Sequence, residues 1–258
     1  SIVFGGYTTT QVAITESYDG TSWTEVNDLN TARTGLAGGG TSTSGLAFAG
    51  YIPPGNQTVT ESWNGTNWTE VNDVNTARNA LGGTGSSNTN ALAFGGVEPS
   101  VSNKTETWNG TNWTEVNDLN TARRSMGRAG ASNTSALAFG GNAPPGGNLK
   151  GETESWNGTN WTEVNDLNTA RQYLAGAGIQ SSALAFGGGT PPPVYAITEE
   201  WNGAGWTEVA DLNTNREALT GTGTTTAGLA SGGNTGSPSA ATEEWSSTST
   251  STKTLDTD

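Results

Sequence analysis

Arginine and carboxylate recur together in this chain at fixed spacing. Arg33, Arg78, Arg123, Arg171 and Arg216 each close a segment reading WTEVNDLNTAR or a close copy of it. Each repeat also brings a glutamate from a short preceding stretch (Glu16, Glu61, Glu106, Glu154, Glu199), and a glutamate and aspartate within the segment itself (Glu70, Asp73 and their equivalents). Two chemistries fit. The guanidiniums can bind an acidic ligand, or each can pair with a carboxylate through charge-assisted hydrogen bonds. Pairing is the simpler reading, because it explains the repetition of both partners without a ligand. Paired carboxylates also serve glycoside cleavage, yet acids present in every repeat lack the asymmetry of a catalytic site. Glu98 and Glu217 are the unmatched carboxylates. The chain has no His and no Cys, so a thiolate zinc site, a nucleophilic Cys and a histidine base are all excluded. The EVNDLN segments are acidic but lack the spacing of a calcium loop. The expectation is no catalytic residue, no metal site and no cofactor.

Aromatic residues fall into two groups. Trp recurs on two positions per repeat, which suits a core packed between neighbouring units. Tyr51, Tyr173 and Tyr195 do not repeat, so they are the better candidates for stacking on a sugar ring. Asn-x-Ser/Thr sequons at Asn64, Asn109, Asn157 and elsewhere read first as hairpin turns and only second as glycan acceptors.

These side chains are held by a repeat. Close copies of TESWNGTNWTEVNDLNTAR begin at Thr15, Thr60, Thr105, Thr153 and Thr198, and a degenerate copy begins at Thr242. Successive starts lie 45, 45, 48, 45 and 44 residues apart. Each unit divides into four strand-like pieces. Piece a is Gly-rich and follows the Arg; piece b is ALAFGG or similar; piece c is TESW; piece d is WTEVNDL. Asn-Gly between c and d signals a tight hairpin. No window carries helical periodicity with caps. A unit of this length with four short antiparallel strands is the size of one propeller blade.

The pattern of Phe4-Gly5-Gly6, Tyr18-Asp19, Trp23 and Arg33 resembles a kelch repeat, and later units place Trp63, Trp108, Trp156 and Trp201 at the Tyr position. The resemblance covers nearly the whole chain. It implies a single all-β domain over 1–258, a kelch-like propeller with repeats at about 1–32, 33–77, 78–122, 123–170, 171–215 and 216–258. It also implies that Arg33, Arg78, Arg123, Arg171 and Arg216 can line a site for acidic ligands. The copper-dependent oxidases of kelch-like architecture need His, Tyr and Cys ligands, and this chain has neither His nor Cys. The Asn/Thr/Gly-rich array also resembles those of bacteriophage and marine microbial surface proteins, which implies an extracellular or virion-surface setting.

Counting pieces gives six blades of four strands with the first blade lacking its a strand. That strand is expected upstream of Ser1, or its place is filled by the C-terminal tail. The tail, Ser251–Asp258, is otherwise the sixth d strand. Five blades, with the last repeat peeling away, is the alternative.

Pieces b, c and d barely change between repeats, but two places change greatly. One is the b–c loop, which holds every Pro of the chain. The other is the pair after each Arg: Thr34-Gly35, Asn79-Ala80, Arg124-Ser125, Gln172-Tyr173 and Glu217-Ala218. In an up-and-down blade both lie at the same end. A constant scaffold with variable loops suits a binding face, and drift of unconstrained loops explains the same variation. Net charge −14 argues against nucleic acid as a partner, and no apolar run reaches the length of a membrane span. The expected function is non-enzymatic: a binding or display module for carbohydrate or a protein surface. The alternative is a purely structural part of a larger assembly, in contact with other subunits of a virion or surface structure.

Overall fold

The computed structural model describes residues 1–144, 147–190 and 192–247, with the backbone of the strand Lys253–Leu255. These residues are all-β, without a helix. Their main sheets are the six blades of a β-propeller, one of three strands and five of four, each antiparallel. Blade one holds strands b (Ile2–Tyr7), c (Gln11–Tyr18) and d (Trp23–Val26). Blade two runs a (Ala37–Thr41), b (Ser44–Phe48), c (Thr60–Trp63), d (Trp68–Val71). Blade three runs Gly82–Ser87, Asn90–Phe94, Thr105–Trp108, Trp113–Val116 in the same order. Blade four is Gly127–Ser132, Ser135–Phe139, Thr153–Trp156, Trp161–Val164. Blade five is Ala175–Ile179, Ser182–Phe186, Thr198–Trp201, Trp206–Glu208. Blade six is Thr220–Gly223, Gly228–Ser231, Thr242–Trp245, Lys253–Leu255.

The last repeat therefore stays in a blade, which removes the five-blade alternative. The tail does not fill the gap in blade one: Lys253–Leu255 pairs with Thr242–Trp245 as the sixth d strand. Two b–c loops also contain short hairpins of their own, Tyr51–Ile52 with Gly55–Asn56 and Asn142–Ala143 with Asn148–Leu149. The chain divides into two compact units. One is Ser1–Arg124 with Ala131–Thr134 and Gly158–Asn160; the other is Ser125–Gly130, Ser135–Asn157 and Trp161–Asp258.

Strand b is the core of each complete blade. Leu92 and Phe94 face one way and Ala91 and Ala93 the other, and all four are fully buried. A sheet covered on both faces accepts small residues on one side only where a large residue from a neighbour fills the space. Strand d supplies that residue. Trp68 packs edge-on against Phe4 of the preceding blade at 4.9 Å, Trp113 against Phe48 at 4.8 Å, and Trp206 against Phe139 at 4.9 Å. Its indole Nε1 donates to a threonine of the preceding blade: Trp68 to Thr15, Trp113 to Thr60, Trp206 to Thr153. Repeated Trp is thus interblade scaffold.

The polar half of the repeat is equally specific. In NDVNTAR of blade two, Asn72 donates to Thr111 O and Asn112 Oδ1 in the next blade's c–d turn. Asp73 Oδ1 accepts from Thr60 N at the start of strand c, Val74 is buried, and Asn75 and Arg78 both reach Glu106 of the next blade. The acidic segment is wired into the fold.

The c–d hairpin forms at the Asn-Gly pair, with the two residues in different roles. Only the glycine takes positive φ, +94° at Gly65. The asparagine caps the turn instead: Asn64 Oδ1 accepts from Thr66 N and Asn67 N at 2.9 Å. Asn109 and Asn202 do the same.

Candidate functional site

The five repeat arginines are completely buried. Arg33 Nη1 meets Glu61 Oε1 at 2.5 Å, Arg78 Nη2 meets Glu106 Oε1 at 2.8 Å, and Arg216 Nη2 meets Glu243 Oε1 at 2.8 Å. Arg171 pairs with Glu199 in the same way. Arginine on the connection into a blade thus clasps the c-strand glutamate of that blade, the pairing the repetition favoured. The d-strand glutamates are exposed instead. The other carboxylate oxygen is taken too: Glu106 Oε2 accepts from Asn75 N at 2.7 Å and Asn75 Nδ2 at 2.8 Å. Burial pushes the Arg78, Arg171 and Arg216 guanidiniums below their ordinary pKa, and the facing glutamates oppose that shift. None of the five is exposed for a ligand in this structure.

The variable positions have a different geometry. The first residue after four of the five repeat arginines forms an isolated antiparallel bridge to the first residue of the b–c loop: Thr34 to Tyr51, Asn79 to Val97, Gln172 to Gly189, Glu217 to Asn234. Each bridge is reciprocal; Asn79 N donates to Val97 O at 3.1 Å and Val97 N to Asn79 O at 2.8 Å. The two variable segments of a repeat are therefore held side by side by main-chain bonds that any side chain tolerates.

The second residue after each Arg is left-handed, with φ of 60° at Gly35, 53° at Ala80, 52° at Ser125, 56° at Tyr173 and 53° at Ala218. This conformation costs a non-glycine residue about 1–2 kcal/mol. Main-chain bonds between successive blades hold it: Ala80 N donates to Gly35 O, Tyr173 N to Ser125 O and Ala218 N to Tyr173 O, each at 2.8 Å. The scaffold imposes the backbone strain while the side chain changes from Gly to Tyr. Strain of this kind concentrates at binding sites.

Tyr173 is 37% exposed at this strained position, in the second unit. Tyr195 lies in the b–c loop of the same blade, half-buried, with its N–H on Gly188 O and its hydroxyl 3.5 Å from Thr190 Oγ1. Tyr51 is half-buried in the first unit, on the hairpin Tyr51–Ile52/Gly55–Asn56. The base of that hairpin is tied to the next b–c loop, because Asn56 Nδ2 donates to Val97 O at 2.8 Å and Asn79 Nδ2 donates to Asn56 Oδ1 at 2.5 Å.

The unmatched carboxylates also differ from each other. Glu98 is spoken for within its loop: Ser102 Oγ donates to Oε1 at 2.7 Å, and Lys104 Nζ lies 3.4 Å from Oε2. Glu217 Oε2 is buried without a hydrogen-bond partner, and desolvation raises its pKa. Among the described residues, no group of three or more potential metal-ligating side chains is found.

One residue escaped the sequence reading. Arg128 stands on strand a of blade four, where the aligned repeats carry Gly38, Gly83, Gly176 and Gly221. A Cβ at Gly38, Gly83, Gly176 or Gly221 would come within 2.4, 2.6, 2.3 or 2.4 Å of a neighbouring atom. Arg128 is a half-buried cation whose pKa desolvation lowers. The missing signal was present, since a long charged residue among glycines at one register is a break in the repeat. No protein-family model and no curated protein matches the chain.

Proposed function

We propose that this kelch-type propeller is a non-enzymatic binding module that recognises carbohydrate or a protein surface through its b–c loops and the residues after each repeat arginine. The observation that carries the reading is the set of reciprocal main-chain bridges that join these variable segments in four of the five four-stranded blades: Thr34–Tyr51, Asn79–Val97, Gln172–Gly189 and Glu217–Asn234. They place side chains that differ from repeat to repeat on a backbone that does not. Drift of free loops gives no reason for both variable segments to be pinned to each other. The kelch-type assignment rests on the Gly-Gly, aromatic, Trp and Arg positions, each with a defined structural role.

The variable segments carry tyrosines among Asn, Gln and Thr side chains, which suits stacking on sugar rings with flanking amide hydrogen bonds. The setting that fits such a module is extracellular or the surface of a virion. A glycan array tests the reading, followed by titration calorimetry on the Tyr51→Ala, Tyr173→Ala and Tyr195→Ala variants. At least one tyrosine variant should lose about tenfold or more in affinity for a glycan that the parent binds. No glycan and no protein ligand bound by the parent chain, or binding untouched by all three variants and by b–c loop exchange, would sink it.

A further inference from the structure

The sixth repeat departs from the others at one tryptophan. Strand d of each earlier blade opens on Trp: Trp23, Trp68, Trp113, Trp161 and Trp206. Aligned on the pair Glu244–Lys253, the sixth repeat reads Thr252 where the fifth reads Trp206. No tryptophan follows Trp245 in the sequence.

Blade five shows what that tryptophan does. The Trp206 ring stands edge-on to Phe139 of the preceding blade at 4.9 Å, and 5.5 Å from Trp201 of its own strand c. Its Nε1 donates to Thr153 Oγ1 at 3.0 Å. One blade further on, the corresponding groups are Phe186, Trp245 and Thr198. Among the described residues, no aromatic ring packs against Phe186 or Trp245, and no indole donates to Thr198 Oγ1. The contact of that hydroxyl is the one it donates to Ala196 O at 3.5 Å, which leaves its acceptor lone pairs unused.

These three unmet groups line one cavity, about 240 Å³ counting its mouth, together with Leu212 and Leu229. Glu243 borders it too, but its carboxylate is taken by Arg216 Nη2 at 2.8 Å and Asn213 N at 2.6 Å. The lining is therefore apolar apart from one hydroxyl. Its packing is looser than in the other blades: Trp245 is half-buried, where Trp63, Trp108, Trp156 and Trp201 are buried. Strand d of blade six, Lys253–Leu255, is three residues long and lies at the sheet edge, so making room for a ring breaks few main-chain bonds.

We propose that this cavity between blades five and six binds a small planar aromatic molecule with a ring N–H, of the indole class. An apolar cavity left by a missing side chain takes up a small aromatic molecule. Phe186 and Trp245 offer it the edge-on and tilted contacts that Trp206 receives one blade earlier. Thr198 Oγ1, as the one free acceptor in an apolar lining, selects a ring that donates over a hydrocarbon of the same outline. The site is separate from the b–c loops and uses none of their tyrosines.

Titration calorimetry of the 258-residue chain with indole tests the proposal, with indene as the ring of the same outline that lacks the N–H. Saturable one-to-one binding of indole is expected, with indene weaker. Thr198→Val should weaken indole about threefold to tenfold, the worth of one neutral hydrogen bond, and leave indene unchanged. Thr252→Trp, which restores the repeat's own indole, should abolish binding and raise the melting temperature. Thr153→Val, at the slot that Trp206 already fills, should leave indole affinity unchanged. Circular dichroism should show all three variants folded. Absence of saturable indole binding overturns the proposal. So does an affinity that Thr198→Val and Thr252→Trp both leave unchanged, since indole would then be bound elsewhere.

Discussion

Replacing Glu106 with Gln should be among the most damaging single changes of comparable size. Glu106 is fully buried and accepts three hydrogen bonds, from Asn75 N, Asn75 Nδ2 and Arg78 Nη2, at 2.7, 2.8 and 2.8 Å. The amide keeps the shape but has one acceptor oxygen where the carboxylate has two, and it leaves the Arg78 charge buried without its counterion. Arg78 Nε already lacks a partner, so the guanidinium has no slack. Removing one member of such a pair costs about 3–5 kcal/mol. For a chain of this size that corresponds to a fall in melting temperature of roughly 6–20 °C. Urea unfolding followed by Trp fluorescence measures it, because Trp108 and Trp113 lie in the same blade. Glu16→Gln is the internal control: the same residue type at the same register, half-buried and unpaired, should cost about 1 kcal/mol or less. The double change Arg78→Met with Glu106→Leu should recover most of the loss, since neither charge is then stranded. Equal destabilisation by Glu106→Gln and Glu16→Gln would refute the reasoning, as would a loss below about 1 kcal/mol for Glu106→Gln.

Other consequences follow from the same geometry. Gly96→Ala should destabilise by about 2 kcal/mol or more in the same urea assay, because Gly96 has φ +102° and a Cβ there would meet Asn79 O at 2.7 Å. Gly95→Ala should cost less, about 1 kcal/mol, because Ala49 occupies the equivalent position in blade two at φ 60°. Glu217→Gln should leave stability unchanged in acid and raise it near neutrality. Desolvation raises the folded-state pKa of Glu217, so its carboxyl favours folding when protonated and that contribution fades as pH rises through the folded value. Melting curves of parent and variant between pH 4 and 8 should therefore diverge upwards in pH; a constant offset would count against it.

Much of this protein is legible in one pass along its sequence. The repeat spacing set the blade number, and the Gly-Gly, Trp and Arg positions anticipated what each residue does. Repetition was the reason: an arginine that recurs with a glutamate 28 residues on, as Arg33 with Glu61, Arg78 with Glu106 and Arg171 with Glu199 do, carries its contact map in its period. That reading passed over Arg128, a break in the repeat where the other blades carry glycine, and it did not show that the c–d turn asparagine caps the turn while the glycine takes the positive φ.

Composition, period and residue type determined the strands, their order and the partners each polar side chain needs, because a blade's local pairings close over short stretches of chain. Tertiary structure alone decided how accessible each group is. Arg33 and Tyr173 were both candidate contacts, yet Arg33 is sealed against Glu61 while Tyr173 is held outward on a strained backbone. Glu16 and Glu106 are the same residue in the same motif, and only the presence of a neighbouring strand makes one a buried ion pair and the other an open acceptor. Burial depends on what lies alongside in space, and a repeating sequence writes the same residue whether or not that neighbour is there.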